Sequence, residues 1–203
     1  VENLDPTRPT MVDGGRALKN QSMPVNGCHY NDMSAGASWR DFPDLAYNNR
    51  DFWYRTFNRS PGVWPMAKNK PMLHGECFYA NGMAPAEYSA LDGDRCFTGR
   101  AEAKNAKGLY GKILTEGYRW DEVSAWQMWV GYESDLVYTA MKPVCVLCRE
   151  WNWTFGSGAE VKRTMKVFNS TRFNDPIEVS WSLNIEGKSA DPAKKTFNIP
   201  AGE

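Results

Sequence analysis

Hydrophobic and polar positions along the chain form two textures, with the change near Met141-Lys142-Pro143. Before it, short apolar runs alternate with longer stretches of helical spacing. Thr10-Met11-Val12-Asp13 predicts a weak strand, stopped by Gly14-Gly15. Met23 to Tyr30 predicts a better one, and a polar, Gly-containing loop follows through about Pro43. Leu45 to Arg59 predicts a helix, because Leu45, Asn49, Phe52, Trp53 and Phe57 fall near one face at helical spacing. Pro61-Gly62 ends it. Pro71 to Gly75 predicts a short buried strand ending on Glu76, and a long loop runs from about Phe78 to Gly99. Arg100 to Glu116 predicts the clearest helix, lined by Ala106, Leu109, Tyr110, Ile113 and Leu114, with Gly117 as its stop. Val123 to Val130 is nearly continuous in apolar and aromatic residues, the look of a strand buried on both faces. Strands alternating with helices argue for an α/β class built of parallel, right-handed βαβ units.

After the change the segments alternate instead. Val144–Glu150, Val161–Asn169, Ile177–Ile185 and Thr196–Ile199 predict strands, and from Ile177 to Ile185 every second residue is apolar. Gly156-Ser157-Gly158, Asn174-Asp175-Pro176 and Gly187 separate them. This is an antiparallel β-sandwich pattern, incomplete because such a sandwich usually has about seven strands. The predicted units are residues 1–142 and 143–203.

Composition narrows the possible partners. In 203 residues, 24 basic and 24 acidic side chains cancel, so no basic field exists to hold a phosphate backbone and nucleic acid is not expected. No apolar run is long enough to span a membrane. The N-terminal segment is polar and is not a signal peptide, as in a mature secreted or periplasmic protein or an excised piece. The five cysteines are odd in number and irregularly spaced, so they predict no disulfide framework. Cys145-Val-Leu-Cys148 has the CxxC form, but His29 and His74, the only histidines, lie far upstream. A zinc site needs about four ligands, so buried thiols in a strand are expected, with no metal and no cofactor. Aromatic residues reach 13%; most of them suit core packing, sugar stacking is the functional reading, and composition alone does not choose between them.

The candidate chemistry centres on Glu76. An acidic residue ends a buried strand, and in α/β barrels the active site lies at the C-terminal strand ends. Glycoside hydrolysis needs two carboxylates, about 5–5.5 Å apart in retaining enzymes. Lys70 to Met83 resembles the nucleophile strand of clan A glycosidases, most closely the β-galactosidase-like members of glycoside hydrolase family 2. Asp5-Pro6-Thr7-Arg8-Pro9 resembles that family's segment after the acid/base strand. Gly27-Cys28-His29-Tyr30 resembles its sixth strand end, and Ser124 to Trp129 its eighth strand. Val167 to Trp181 resembles the immunoglobulin-like domain that follows such barrels.

The resemblance implies the C-terminal portion of a (β/α)8 TIM barrel followed by an incomplete immunoglobulin-like β-sandwich. It implies a retaining β-glycosidase acting on a β-linked oligo- or polysaccharide. Glu76 would be the nucleophile, Tyr30 would orient it, and Trp126 would stack on the sugar. His29, His74 and Asn26 would bind hydroxyls, His74 by strand alternation on the same side as Glu76. Plainer readings stand beside these: a salt-bridged carboxylate for Glu76, core aromatics for Tyr30 and Trp126, a hydrogen-bonded core histidine for His74. Asp13 and the loop charges Glu87, Asp92, Asp94 and Arg95 read as solvated. The family's acid/base Glu follows an Asn on a strand that would lie upstream of Asp5, and no Asn-Glu pair occurs where it is needed. The chain is therefore expected to be part of a longer enzyme, or to be completed by another chain. The alternative is a non-catalytic carbohydrate-binding protein on a degenerate barrel. Asn20, Asn58, Asn152 and Asn169 begin Asn-x-Ser/Thr sequons.

Overall fold

The computed structural model describes residues 4–11, 23–29, 42–59, 67–77, 91, 93–94, 104–128, 135–152 and 154–203. The chain divides into two compact units, Val1–Met141 and Lys142–Glu203. The division falls where the hydrophobic texture changes.

The first unit is mixed α/β. Its strands are β1 (Asn26–His29), β2 (Met72–Cys77) and β3 (Ala125–Met128). They form one sheet in that order, β2 in the middle, with both pairings parallel. Helices α1 (Phe42–Tyr47) and α2 (Asn49–Arg59) join β1 to β2, α3 (Lys104–Trp120) joins β2 to β3, and α4 (Asp135–Ala140) follows. The sheet is open among the described residues, and none of their helices is long and apolar enough to cross a membrane.

The predicted single helix from Leu45 is two segments starting at Phe42. Pro43 sits in the first turn, where its missing N–H costs nothing. Asn48 interrupts the run, and its Nδ2 donates to the Asp44 carbonyl at 2.9 Å. The run of α3 passes through Gly117, the predicted stop, and continues to Trp120. Its end is a left-handed residue, Glu122 at φ 58°. There Val123 N–H donates to Tyr118 O and Glu122 N–H to Arg119 O, which satisfies the last carbonyls. Gly117 serves a different need. It lies against Ala46 of α1, where a Cβ would stand 2.6 Å from the Ala46 carbonyl carbon.

The sheet–helix core holds Met72, Trp53, Tyr110, Ile113, Leu114 and Tyr118. Glu116 is buried with them. It accepts from Tyr47 Oη at 3.1 Å and pairs with Lys112 Nζ at 2.6 Å, which compensates its charge.

The second unit has two antiparallel pairs: β4 (Val144–Cys148) with β5 (Met165–Asn169), and β6 (Ile177–Ile185) with β7 (Lys188–Phe197). A two-residue turn, Glu186-Gly187, joins the second pair. Both residues have positive φ, which suits the twist of a tight hairpin. Strand β7 is far longer than the predicted Thr196–Ile199. Trp181, Leu183 and Ile185 are at least half exposed. Cys145 and Cys148 are half-buried thiols outside any disulfide, less enclosed than expected. Their strand neighbours Val144 and Val146 are also open to solvent.

Asn169 organises this unit and is 2% exposed. Its Nδ2 donates to the Phe173 and Ile199 carbonyls, and its Oδ1 accepts from Thr171 N and Oγ1.

Candidate active site

The site is built around an irregularity in β2. On the β1 side Cys28 pairs with His74 and the next residue, His29, pairs with Glu76. On the β3 side Trp126 pairs with His74, while Cys77 pairs with Met128. Gly75 and Glu76 therefore oppose His29 on one neighbour and Gln127 on the other, two residues against one, which is a β-bulge. Burial follows the same break. Met72, His74, Gly75 and Cys77 are buried, whereas Leu73 and Glu76 are half-buried. Glu76 thus shares the face of Leu73 at the C-terminal end of the middle strand.

His74 projects from the opposite face, so alternation from Glu76 misplaces it; the bulge is the reason. Its ring is 0% exposed and lies between the sheet and both crossover helices. It stacks on Tyr118 of α3 with centroids 4.8 Å apart and planes 12° from parallel. Trp53 of α2 stands 6.3 Å away. His74 Nε2 meets Asn49 Oδ1 at 2.8 Å, and Nδ1 meets Cys28 Sγ at 2.7 Å. With both nitrogens engaged inside the core, His74 is not positioned to bind a sugar hydroxyl. Its contacts with α2 and α3 also show that both helices cover the same face of the sheet.

Asn26 is corrected in the same way. It sits at the N-terminal end of β1, opposite the end that carries Glu76, and is 1% exposed. Its Nδ2 donates to the Ala67 carbonyl at 2.8 Å, tying the entry of β2 to β1. Trp126 pairs laterally with His74 and packs edge-on against Tyr118, with centroids 5.6 Å apart, so it belongs to the helix-covered face. It is therefore not a floor beneath Glu76. Its indole Nε1 has no hydrogen-bond partner among the described residues. His29 brings its backbone beside Glu76. Tyr30 lies outside the described residues, as do Asp13, Glu87, Asp92 and Arg95.

Sequence reasoning passed over Gln127. It stands opposite the bulge, next to the helix-facing Trp126, and is exposed. It is the polar side chain that β3 presents on the Glu76 face. The signal for it was strand alternation from Trp126, which needs the face of Trp126 to be known first.

The buried thiol Cys28 has the Cys-His-Asn company of a thiol nucleophile but not its access. It is 0% exposed, and burial, reinforced by the charge of Cys77, pushes its pKa well up. It is therefore a hydrogen-bonding thiol. Among the described residues, no group of three His, Cys, Asp or Glu side chains is placed to hold a metal ion. At the motif near the N-terminus, Asp5 caps an exposed turn, accepting from Thr7 N at 3.1 Å and pairing with Arg8 at 3.3 Å.

No protein-family model, no curated protein and no solved structure matches the chain.

Proposed function

We propose that the chain is part of a retaining β-glycosidase, with Glu76 as the nucleophile, acting on a β-linked oligo- or polysaccharide. One observation carries the reading. A half-buried carboxylate ends the middle strand of a parallel sheet, at the end where α/β folds place their chemistry. Two further features support it. Both crossover helices cover one face of the sheet, as in a (β/α)8 barrel, where the other face turns inward. That other face carries Leu73, Glu76, Ala125 and Gln127, small or polar enough at its upper end to admit a ligand. The segment from Lys142 onward is read as the start of an immunoglobulin-like domain, on the strength of its antiparallel pairs.

In this reading a Glu76 oxygen attacks the anomeric carbon and forms a glycosyl ester. The bond to the leaving oxygen breaks with its electron pair, and that oxygen takes a proton from a general acid. Water then cleaves the ester. The acid/base carboxylate is expected from a strand outside this sequence, or from another chain that completes the barrel.

The test avoids that missing acid by using a leaving group that needs no proton. A dinitrophenyl 2-fluoro-β-galactoside is incubated with the protein, and the labelled peptide is identified by mass spectrometry. The expected outcome is one ester on Glu76, absent in Glu76→Gln. Label on another residue, or equal labelling of Glu76→Gln, overturns the reading. Sugar binding without any ester, unchanged in Glu76→Gln, would instead mark a carbohydrate-binding protein.

A further inference from the structure

We propose that Cys28, His74 and Asn49 form a positioning unit that fixes the strand register just before the bulge at Gly75, and so decides the face from which Glu76 projects. The consequence for catalysis rests on the role proposed for Glu76; the geometric claim does not.

The hydrogen bonds define a direction. Asn49 Oδ1 is an acceptor, so the ring nitrogen facing it at 2.8 Å, Nε2, carries the proton. Nδ1 is then an acceptor, and it faces Cys28 Sγ at 2.7 Å. Burial keeps Cys28 as the neutral thiol; its S–H has two acceptors in reach, Nδ1 at 2.7 Å and the Leu73 carbonyl at 3.6 Å, and the nearer one takes it. With the Asn49 amide oriented as it stands, in which Asn49 Nδ2 has no hydrogen-bond partner among the described residues, the chain runs from Cys28 S–H to the His74 ring to Asn49 with the ring proton on Nε2. It also joins three elements. Cys28 belongs to β1, His74 to β2, and Asn49 opens α2. All three residues are 0% exposed.

Position makes the unit more than filler. Cys28 and His74 are the last regularly paired residues of β1 and β2 before the register breaks. A flat, regular strand would put Glu76 on the side of His74, against the helices. Holding His74 to both Cys28 and Asn49 pins the rung beneath the break. The extra residue is then accommodated at Gly75, and Glu76 emerges on the face opposite the helices. A sulfur-to-oxygen exchange at Cys28 keeps the donor, whereas removing it breaks the chain at its first bond.

The test uses the full chain as wild type, Cys28→Ser, Cys28→Ala and Asn49→Ala, each checked for folding by circular dichroism. The rate of Glu76 esterification by the dinitrophenyl 2-fluoro-β-galactoside is measured in each. Long-range nitrogen–proton NMR of the His74 ring reports the tautomer. The expected result is a rate within threefold of wild type and an unchanged Nε2–H signature for Cys28→Ser. For Cys28→Ala, a rate at least tenfold lower is expected. An unchanged rate in Cys28→Ala overturns the proposal. If Cys28→Ala does not fold, Asn49→Ala decides on the same criteria. If wild type is not esterified at all, the glycosidase reading fails by itself. Amide hydrogen exchange at Gly75 and Glu76 then decides. Exchange at least tenfold faster in Cys28→Ala than in Cys28→Ser supports the unit, and equal exchange overturns it.

Discussion

Gly117 of α3 and Ala46 of α1 approach so closely that a Cβ on Gly117 would meet Ala46 backbone carbon, Cβ and carbonyl oxygen at 2.6–2.7 Å. Backbone atoms cannot rotate out of the way as a flexible side-chain tip can. Gly117→Ala gains about 1 kcal/mol of helix propensity but incurs overpacking of about 1–3 kcal/mol or more. The net expectation is a loss of about 1–2 kcal/mol, toward the upper end because the atoms met are backbone. Gly156→Ala, with nothing within 4 Å and no positive φ, is the matched control and should be neutral. Urea melts of both variants check this, and a Gly117→Ala protein as stable as wild type would show that the helices do not pack this way.

Asp121 gives the first unit a pH dependence of definite sign. Its Oδ2 accepts from Arg50 N at 2.5 Å, capping α2 from a distant segment. Burial nevertheless pushes its pKa up to about 6, against the pull of the Arg50 N–H and guanidinium. The folded state therefore holds this proton more tightly than the unfolded chain does, whose value lies near 3.8. The stabilisation from Asp121 is complete below that value and is lost as pH rises through about 6. The carboxyl is partly open to water, so the expected size after screening is about 1 kcal/mol. Relative to Asp121→Asn, wild type should lose about 1 kcal/mol of stability between pH 4 and 7, read from melts of both proteins across that range. Parallel curves would refute the assignment.

Trp126 and Gln127 are neighbours with opposite expected phenotypes. Trp126 packs on Tyr118, so Trp126→Ala should cost about 2–3 kcal/mol of stability. Gln127→Ala should change stability by no more than about 0.5 kcal/mol. If Glu76 is the nucleophile, the same change should slow its esterification severalfold. The reverse pattern, a stable Trp126→Ala that no longer binds sugar, would restore Trp126 to the site.

Asn169 occupies a sequon, yet its amide is fully committed to the backbone of its own unit. Mass spectrometry of protein made in a eukaryotic secretory host should find Asn169 without a glycan. Asn169→Ala removes donors to two carbonyls and should cost about 2 kcal/mol, read as an earlier denaturation midpoint.

The strand-helix order is legible in the sequence because α3 carries a strong helical period and β2 is a short, largely apolar run between Pro71 and Glu76. Glu76 is legible as a strand-end carboxylate for the same reason. The faces are harder. His74 falls on the side of Glu76 by simple alternation, and only the extra residue at Gly75 separates them. A bulge leaves no hydrophobic signature. Gly117 reads as a helix stop because glycine ends many helices, and the close approach of Ala46 involves a residue 71 positions away in sequence. Most of strand β7 escapes notice because Lys188 to Lys195 lacks large apolar residues and is interrupted by Pro192, which the register shift between Trp181 and Leu183 accommodates.

The bulge at Gly75 also bears on how this strand is to be compared with others. Gly75 and Glu76 together fill one rung of the ladder, so β2 contains one residue more than the neighbours it spans. Any alignment of Met72–Cys77 with a regular strand needs a one-residue gap at Gly75. Without that gap Leu73 and His74 stay in phase while Glu76 and Cys77 exchange sides, and the carboxylate is matched to core positions. The face from which Glu76 projects is thus encoded by a count of residues as much as by the identity of any one of them.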